Sequence, residues 1–405
     1  MIRTLVILLT LVVCYNTAIA QKCLTAEKVQ QSIARYPEIA RAAAEVEEFT
    51  RDFVKNYRAE QKGTAVQVIP VVVHVLYKSG EPYVSDEQIL SQFPTLNAAF
   101  NNTIFSANTP AAFKPLCGNA EMEFCLTKIA PDGSPTTGIL RKEVVSSFNG
   151  EKDYFNHWNG GTTPWDPKRY INVYLVSLNQ PLLGFTYRPK TAPPGEEGVV
   201  VDIRAWGNAG IAINNAPYNM GMTAVHEFGH YLNLEHMWGT QGGCISDDGI
   251  PDTPLQSAPT GGCPSFPLYD LCTATGDGIM FMNYMDYTND MCNTMFTVGQ
   301  TIRMKSALKG PLAGLAGSYL CYPTDVDKVD GAEFSIAPNP ANDKVTISSK
   351  GDIHAVLLNT NGTVIMTEDG KERVTLMTGQ LPAGLYILQL TNATESTTRK
   401  IIVQH

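Results

Sequence analysis

From position 226 to position 236 the chain reads His-Glu-Phe-Gly-His-Tyr-Leu-Asn-Leu-Glu-His. On a helix, His226 and His230 lie one turn apart on the same face, so both imidazoles can reach one metal ion, and Glu227 stands beside that ion as a base for its water. The third histidine, His236, cannot be delivered by continuing the helix. The chain must turn sharply, and the turn falls at Asn233, the residue type that tolerates a left-handed backbone best after glycine. Three neutral histidines leave one position of a zinc ion open for water, whose acidity the ion raises enough to give a nucleophile near neutral pH. Glu227 would take the water's proton as it attacks a peptide carbonyl and deliver it to the leaving amine. The other histidines, His74, His157, His354 and His405, lack partners at ligand spacing and read as structural or surface residues.

Farther along, Asn283-Tyr284-Met285-Asp286-Tyr287 follows the histidine motif. Together with Tyr218-Asn219-Met220-Gly221-Met222-Thr223 before the motif, Asp252-Thr253-Pro254, and Phe296-Thr297 after Cys292, it resembles the pappalysin family of metzincin metalloproteases. The likeness is to the bacterial ulilysin-like members and covers residues 65–322. It implies a metzincin-like zinc protease domain in which Met285 forms a turn under the three histidines. Tyr287 would stabilise the developing oxyanion with the zinc, or ligate zinc in the resting enzyme and swing away. The family usually carries glycine where this chain has Asn233.

The resemblance implies more. Cys244 with Cys272 and Cys263 with Cys292 would be the family's two disulfides, stapling a long loop with little hydrophobic material. Residues 247–253 cluster carboxylates and turn residues, and hard oxygen ligands at that density suit calcium, which the ulilysin-like enzymes bind in this region. Asp248, Asp252 and Thr253 are the candidate ligands; their spacing is not that of an EF-hand. Asp290 falls in the segment that walls the pocket for the residue after the scissile bond. There a carboxylate suits the planar guanidinium of arginine, and lysine less. The other reading is that Asp290 orients its loop.

These groups need a frame, and the pattern implies an α+β one. Residues 69–76 form an apolar, β-branched run, residues 170–178 alternate as a half-buried strand, and 198–203 make another. Val199 to Asp202 is the candidate for the cleft-rim strand that pairs with extended substrate; an ordinary core strand fits the sequence as well. Residues 21–62 are rich in Ala, Glu, Arg and Lys with Val29, Ile33, Ile39, Val46 and Phe49 at near-helical spacing. This segment reads as a helical pro-peptide with processing sites in 58–62, the alternative being helices packed permanently on the domain. Before it, Arg3, the apolar run 5–13 and Ala18-Ile19-Ala20 read as a signal peptide, residues 1–20, too short to span a bilayer and discarded with Cys14.

The catalytic segment, residues 63–322, is followed by an acidic, proline-containing linker, 323–332, and an all-β Ig-like sandwich, 333–405. Strands are expected at 344–348, 355–358, 363–367, 373–376, 385–390 and 400–403, with turns at Asn339-Pro340, Asn361-Gly362 and Ala383-Gly384. Pro338-Asn339-Pro340, Leu381-Pro382-Ala383-Gly384-Leu385-Tyr386 and Lys400-Ile401-Ile402-Val403 resemble the C-terminal sorting domain of type IX secretion cargo. That implies export through the periplasm to the cell surface or beyond, with the type IX machinery as a partner. A generic Ig-like binding module is the alternative.

The 405 residues carry 39 acidic against 30 basic side chains, which argues against nucleic acid as a partner. Beyond the signal there is no long apolar stretch, so no membrane span is expected in the mature protein. The cysteines outside the signal, at 23, 117, 125, 244, 263, 272, 292 and 321, fit an oxidising compartment. Cys117 and Cys125 could close a local loop, leaving Cys23 and Cys321. Bonded to each other, these would tether the pro-segment; as a thiolate, Cys23 could instead ligate zinc and block the site, which is the preferred latency switch. Two functions compete: a secreted zinc endopeptidase acting on proteins or peptides, and a surface-displayed binding or adhesion protein on a non-catalytic metzincin scaffold. Glu227 favours catalysis, and His236 argues against a third ligand from a downstream glutamate.

Overall fold

The computed structural model describes residues 23–57, 66–103, 105–315, 319–321, 334–359, 364–392 and 396–405. The signal segment, the 58–62 stretch, the linker 323–332 and the Asn361-Gly362 turn lie outside them. The apolar run expected at 69–76 becomes β1 (Gln67–Lys78), buried from Ile69 to Leu76. On one side of β1, β2 (Met122–Leu126) and β3 (Ile139–Val144) follow end to end; on the other lies β4 (Ile171–Val176), all parallel to it. β6 (Val199–Asp202) runs parallel beside β4, and β5 (Gly184–Thr186) closes the sheet as an antiparallel edge.

Two expectations change here. β4 is buried along its whole length, because it is a central strand of a mostly parallel sheet covered on both faces. Its alternation arises from polar and aromatic residues that find partners inside: Asn172 Oδ1 lies 3.0 Å from His74 Nε2, and Tyr174 stacks on the His74 ring at 4.7 Å. β6 is paired on both sides, so it offers no edge to a substrate. The edge belongs to β5.

Three helices of the catalytic unit position the site. α3 (Asp86–Phe100) starts at Ser85, whose side chain accepts from the Gln88 amide, and packs on β2 and α4. α4 (Met222–Tyr231) lies against β5 and β6. α5 (Val298–Lys309) opens with a capping box between Thr297 and Gln300, two orphan amides satisfied reciprocally. Phe100, Phe124, Phe228 and Trp206 are fully buried between these elements. Ahead of the sheet, α1 (Thr25–Arg35) rests on β5, and α2 (Pro37–Asn56), begun by proline where a missing amide costs nothing, rests on α5.

Disulfides join Cys244 to Cys272 and Cys263 to Cys292. The remaining bond joins Cys125 to Cys321, not Cys117 to Cys125. The Leu320 carbonyl accepts from the Lys128 amide at 2.8 Å, which brings the end of the catalytic unit back beside β2, while Cys117 stays a thiol against Met295. Cys321 is therefore not available to tether Cys23.

The C-terminal unit is all-β and Ig-like. β7 (Ser335–Ala337), β8 (Lys344–Asn359), β9 (Val364–Met377), β10 (Gly384–Thr391) and β11 (Ser396–Val403) form a sheet in the order β11-β10-β8-β7, with β9 also on β8. It curls around Val345, Ile347, Leu357, Leu388 and Ile401. The short strands expected at 344–348 and 355–358 are one strand, irregular in register between Ser348 and Asp352. Those at 363–367 and 373–376 likewise merge into β9. Among the described residues, no helix is long and apolar enough to cross a membrane.

Candidate metal centre and active site

Every residue of α4 from Ala224 to Tyr231 is buried, and one face of it carries His226 and His230. Asn233 adopts a φ of +76°, and its amide bonds the His230 carbonyl while that of Leu234 bonds Gly229. The reversal brings His236 back. The three Nε2 atoms stand 3.1, 3.1 and 3.3 Å apart. Three bare imidazole nitrogens gain nothing from such proximity, but corners of a tetrahedron with zinc–nitrogen bonds of about 2.0–2.1 Å are separated by about 3.3 Å. The tautomers agree: His226 Nδ1 lies 2.8 Å from the Tyr284 carbonyl and His230 Nδ1 2.8 Å from that of Leu234, leaving each Nε2 lone pair inward. Burial, reinforced by the neighbouring imidazoles, holds His230 and His236 well below the usual histidine range, which favours the neutral form that a metal would need. The His236 ring also stacks on Trp238 at 4.5 Å, a support with no signature in the sequence.

Glu227 is fully buried beside this group. Its Oε2 accepts from Thr25 Oγ1 at 3.2 Å, and Oε1 has no hydrogen-bond partner among the described residues. Burial pushes the carboxyl up to about 8. Gly184 on β5 makes room for it: a Cβ there would lie 3.0 Å from Glu227 Cγ and 3.1 Å from Oε1. Met285 underlies the helix, its sulfur 2.5 Å from where a Cβ of Gly229 would stand, so this mid-helix glycine is set by the methionine turn. The Tyr287 hydroxyl lies 3.2 Å from His236 Nε2 and donates to the Cys23 carbonyl at 3.3 Å.

Cys23 Sγ completes a group with His226, His230 and His236 whose ligand atoms all lie within 4.8 Å of one another. Burial pushes its thiol up, and the Glu227 charge adds to this. The segment is fastened to β5: the Leu24 amide donates to the Gly184 carbonyl and the Thr186 amide to Thr25 Oγ1. Neither the edge role of β5 nor the reach of Thr25 to Glu227 was legible, since a three-residue strand gives no periodicity.

A small pocket, with room for about 30 Å³ of water, opens beside Glu227, walled by Tyr218, Met222, Thr223, Tyr287 and Asp290. Asp290 is buried, and its Oδ2 accepts from the amides of Met220 and Met222 at 2.8 and 3.3 Å. It thus both lines the cavity and orients the loop before α4. Of the acidic loop, the structure brings Asp248 and Thr253 together, Thr253 Oγ1 donating to Asp248 Oδ1 at 2.7 Å. Asp248 Oδ2 is buried with no hydrogen-bond partner among the described residues, and burial pushes its carboxyl up to about 7. That is a cost a cation would relieve. Asp252 uses its oxygens elsewhere, accepting from Thr297 Oγ1 at 2.7 Å and the Gly299 amide at 2.8 Å at the start of α5.

The model of the peptidase family M43, pregnancy-associated plasma protein-A, matches residues 161–309, and that of a secretion system C-terminal sorting domain matches 335–404. A solved structure of a Tannerella forsythia promirolysin mutant is 37% identical, with a TM-score of 0.64, over 73% of this chain and 97% of that one. Mature mirolysin from the same organism, in complex with a cleaved peptide, is 42% identical with a TM-score of 0.59, over 62% of this chain and 96% of that one. An extracellular metalloprotease of Arthroderma benhamiae is 39% identical over 149 residues, 36% of this chain. The chain spans 52% of that relative's length. The residues matched by the family model contain α4 with His226 and His230, and His236 beyond it, and the family implies zinc there. The chain therefore belongs to the pappalysin peptidases, family M43, joined to a C-terminal sorting domain that addresses it for secretion or the cell surface.

Proposed function

We propose that the protein is the precursor of an exported zinc endopeptidase, with residues 1–20 as signal peptide, 21–62 as pro-segment, 63–322 as the catalytic domain and 333–405 as the sorting domain behind the linker 323–332. The carrying observation is the tetrahedral spacing of the three Nε2 atoms with a buried glutamate beside them. A zinc ion held there supplies Lewis acidity, polarising a carbonyl and making a bound water nucleophilic. Glu227 receives the water's proton at its unpartnered Oε1 and returns it to the leaving amine. Tyr287, its hydroxyl beside His236, donates to the carbonyl oxygen as charge develops. The substrate lies extended along the edge of β5.

Latency follows from the same geometry. With Cys23 Sγ within 4.8 Å of the three histidine nitrogens, its thiolate would take the position the water needs, and Thr25, donating to Glu227, would cover the base. With Cys321 bonded to Cys125, cleavage in residues 58–62 lets the segment leave. The buried carboxylate of Asp290 in the cavity wall supports a preference for arginine, then lysine, after the scissile bond. The uncompensated Asp248 oxygen supports calcium held by Asp248 and Thr253, with Asp252 bracing that loop against α5.

The test is Glu227→Ala. The variant keeps its zinc, measured by metal analysis, and loses peptidase activity by several orders of magnitude because the base is not a ligand. Substantial turnover by metal-replete Glu227→Ala sinks the assignment.

A further inference from the structure

Asn233 sits in a backbone conformation that glycine adopts without strain, so an asparagine there needs a reason. Its side chain supplies one. Asn233 Nδ2 donates to Thr50 Oγ1 on α2 at 3.2 Å, and its carbonyl accepts from Arg303 Nε on α5 at 2.6 Å. Thr50 Oγ1 accepts in turn from Ser306 Oγ at 3.2 Å. The Arg303 guanidinium reaches on to Glu47 of α2 at 2.6 Å, and Glu47 also meets Arg188, which pairs with Glu235 at 2.7 Å. Thr50, Asn233 and Arg303 are all buried, where charged and polar bonds are strongest.

The turn held by these contacts is the one that matters to the metal. It runs from Asn233 through Leu234, whose carbonyl fixes His230 Nδ1, and Glu235 to His236. It is gripped from α5 on one side and α2 on the other. Nothing in the Cys23 contacts requires this second grip.

We propose that α2 is a metal-retention clamp: Glu47 and Thr50 are positioning residues that act through Arg303, Arg188 and Asn233 on the turn presenting His230 and His236. Departure of the N-terminal helices is then felt at the ligands as faster metal release, independently of Cys23. This rests on the reading of the histidines as a zinc site and of residues 21–62 as a removable segment.

The experiment follows zinc transfer from the full-length precursor to a chromogenic chelator. The parent carries Glu227→Ala, to stop self-cleavage, and Cys23→Ala, to remove the thiolate. Into it are placed Glu47→Gln with Thr50→Val, and separately Asn233→Gly, which suits the turn but severs its link to α2. Phe49→Ala is the control, since that ring rests on Gly310 of the same interface and is no part of the hydrogen-bond and ion-pair network that reaches the turn. Both clamp variants should release zinc about tenfold faster, the lower end of what supporting contacts to metal ligands are worth, with Phe49→Ala at the parent rate. Parent-like release from the clamp variants, or equal acceleration by Phe49→Ala, overturns the clamp. Should the paired variant not fold, Asn233→Gly alone decides. A parent that binds no zinc refutes the metal reading instead.

Discussion

Alanine is the better residue than glycine inside a helix by about 1 kcal/mol, yet Gly229→Ala is expected to destabilise this protein. The added Cβ would stand 2.5 Å from the Met285 sulfur, well inside contact distance, and Met285 is fully buried. Its backbone is held, the amide donating to Asn283 Oδ1 at 2.9 Å with Asn283 bonded to Gln300, so any relief must come from moving the thioether within a fully packed core. Overpacking of this kind costs about 1–3 kcal/mol. Set against the gain in propensity of about 1 kcal/mol, the net loss is about 0–2 kcal/mol. Met285→Ala alone, by opening a cavity, should cost about 2–5 kcal/mol. In the double variant the new methyl stands in the vacated space, so adding Gly229→Ala to Met285→Ala should stabilise. A coupling of about 2 kcal/mol is within the range of residues in contact. Urea unfolding of the four proteins in the Glu227→Ala background, with zinc content measured alongside, reads the cycle. If Gly229→Ala costs the same with and without Met285, the methionine turn does not set the glycine.

Cys23→Ala should give a precursor that cleaves a quenched peptide before any processing; a mutant as silent as wild type, by the same assay, assigns latency to steric cover and Thr25. Asp290→Ala should flatten the preference for arginine after the scissile bond while zinc content holds, as read by mass-spectrometric mapping of a peptide-library digest; apolar-dominated maps in both proteins make Asp290 purely structural. Calcium should raise the melting temperature of the catalytic unit over that in chelator, and Asp248→Asn should abolish that gain; a calcium response untouched by Asp248→Asn places the ion elsewhere.

The fold was readable where the pattern is long and burial follows it. β1 follows its pattern because a strand buried on both faces reads as one unbroken apolar run, and the N-terminal helices follow theirs because Val29, Ile39 and Val46 are buried while the residues between them stay largely exposed. β4 misled because its alternating polar residues are satisfied inside the sheet, His74 by Asn172 and Thr162, and such pairing leaves the same trace as a solvated face. β8 was split because Lys350-Gly351 and its irregular register look like a turn, though the strand continues past it. Cys125 and Cys321 lie 196 positions apart, and no local signal could pair them.

The site divides along the same line. Ligand identity and order are local properties, so the histidines and Glu227 were visible as a motif. What holds them is not local. Trp238 against His236, Gly184 against Glu227, and Thr50 against Asn233 are each ordinary residues until the fold brings them to the metal group. Asn233 shows the difference most clearly. From sequence its amide needed only to be tolerated in a left-handed turn, by bonding nearby. In the fold that amide reaches a helix 183 positions away, so a departure from glycine that looked like mild strain is also a contact between the turn of the third ligand and the segment that covers the site.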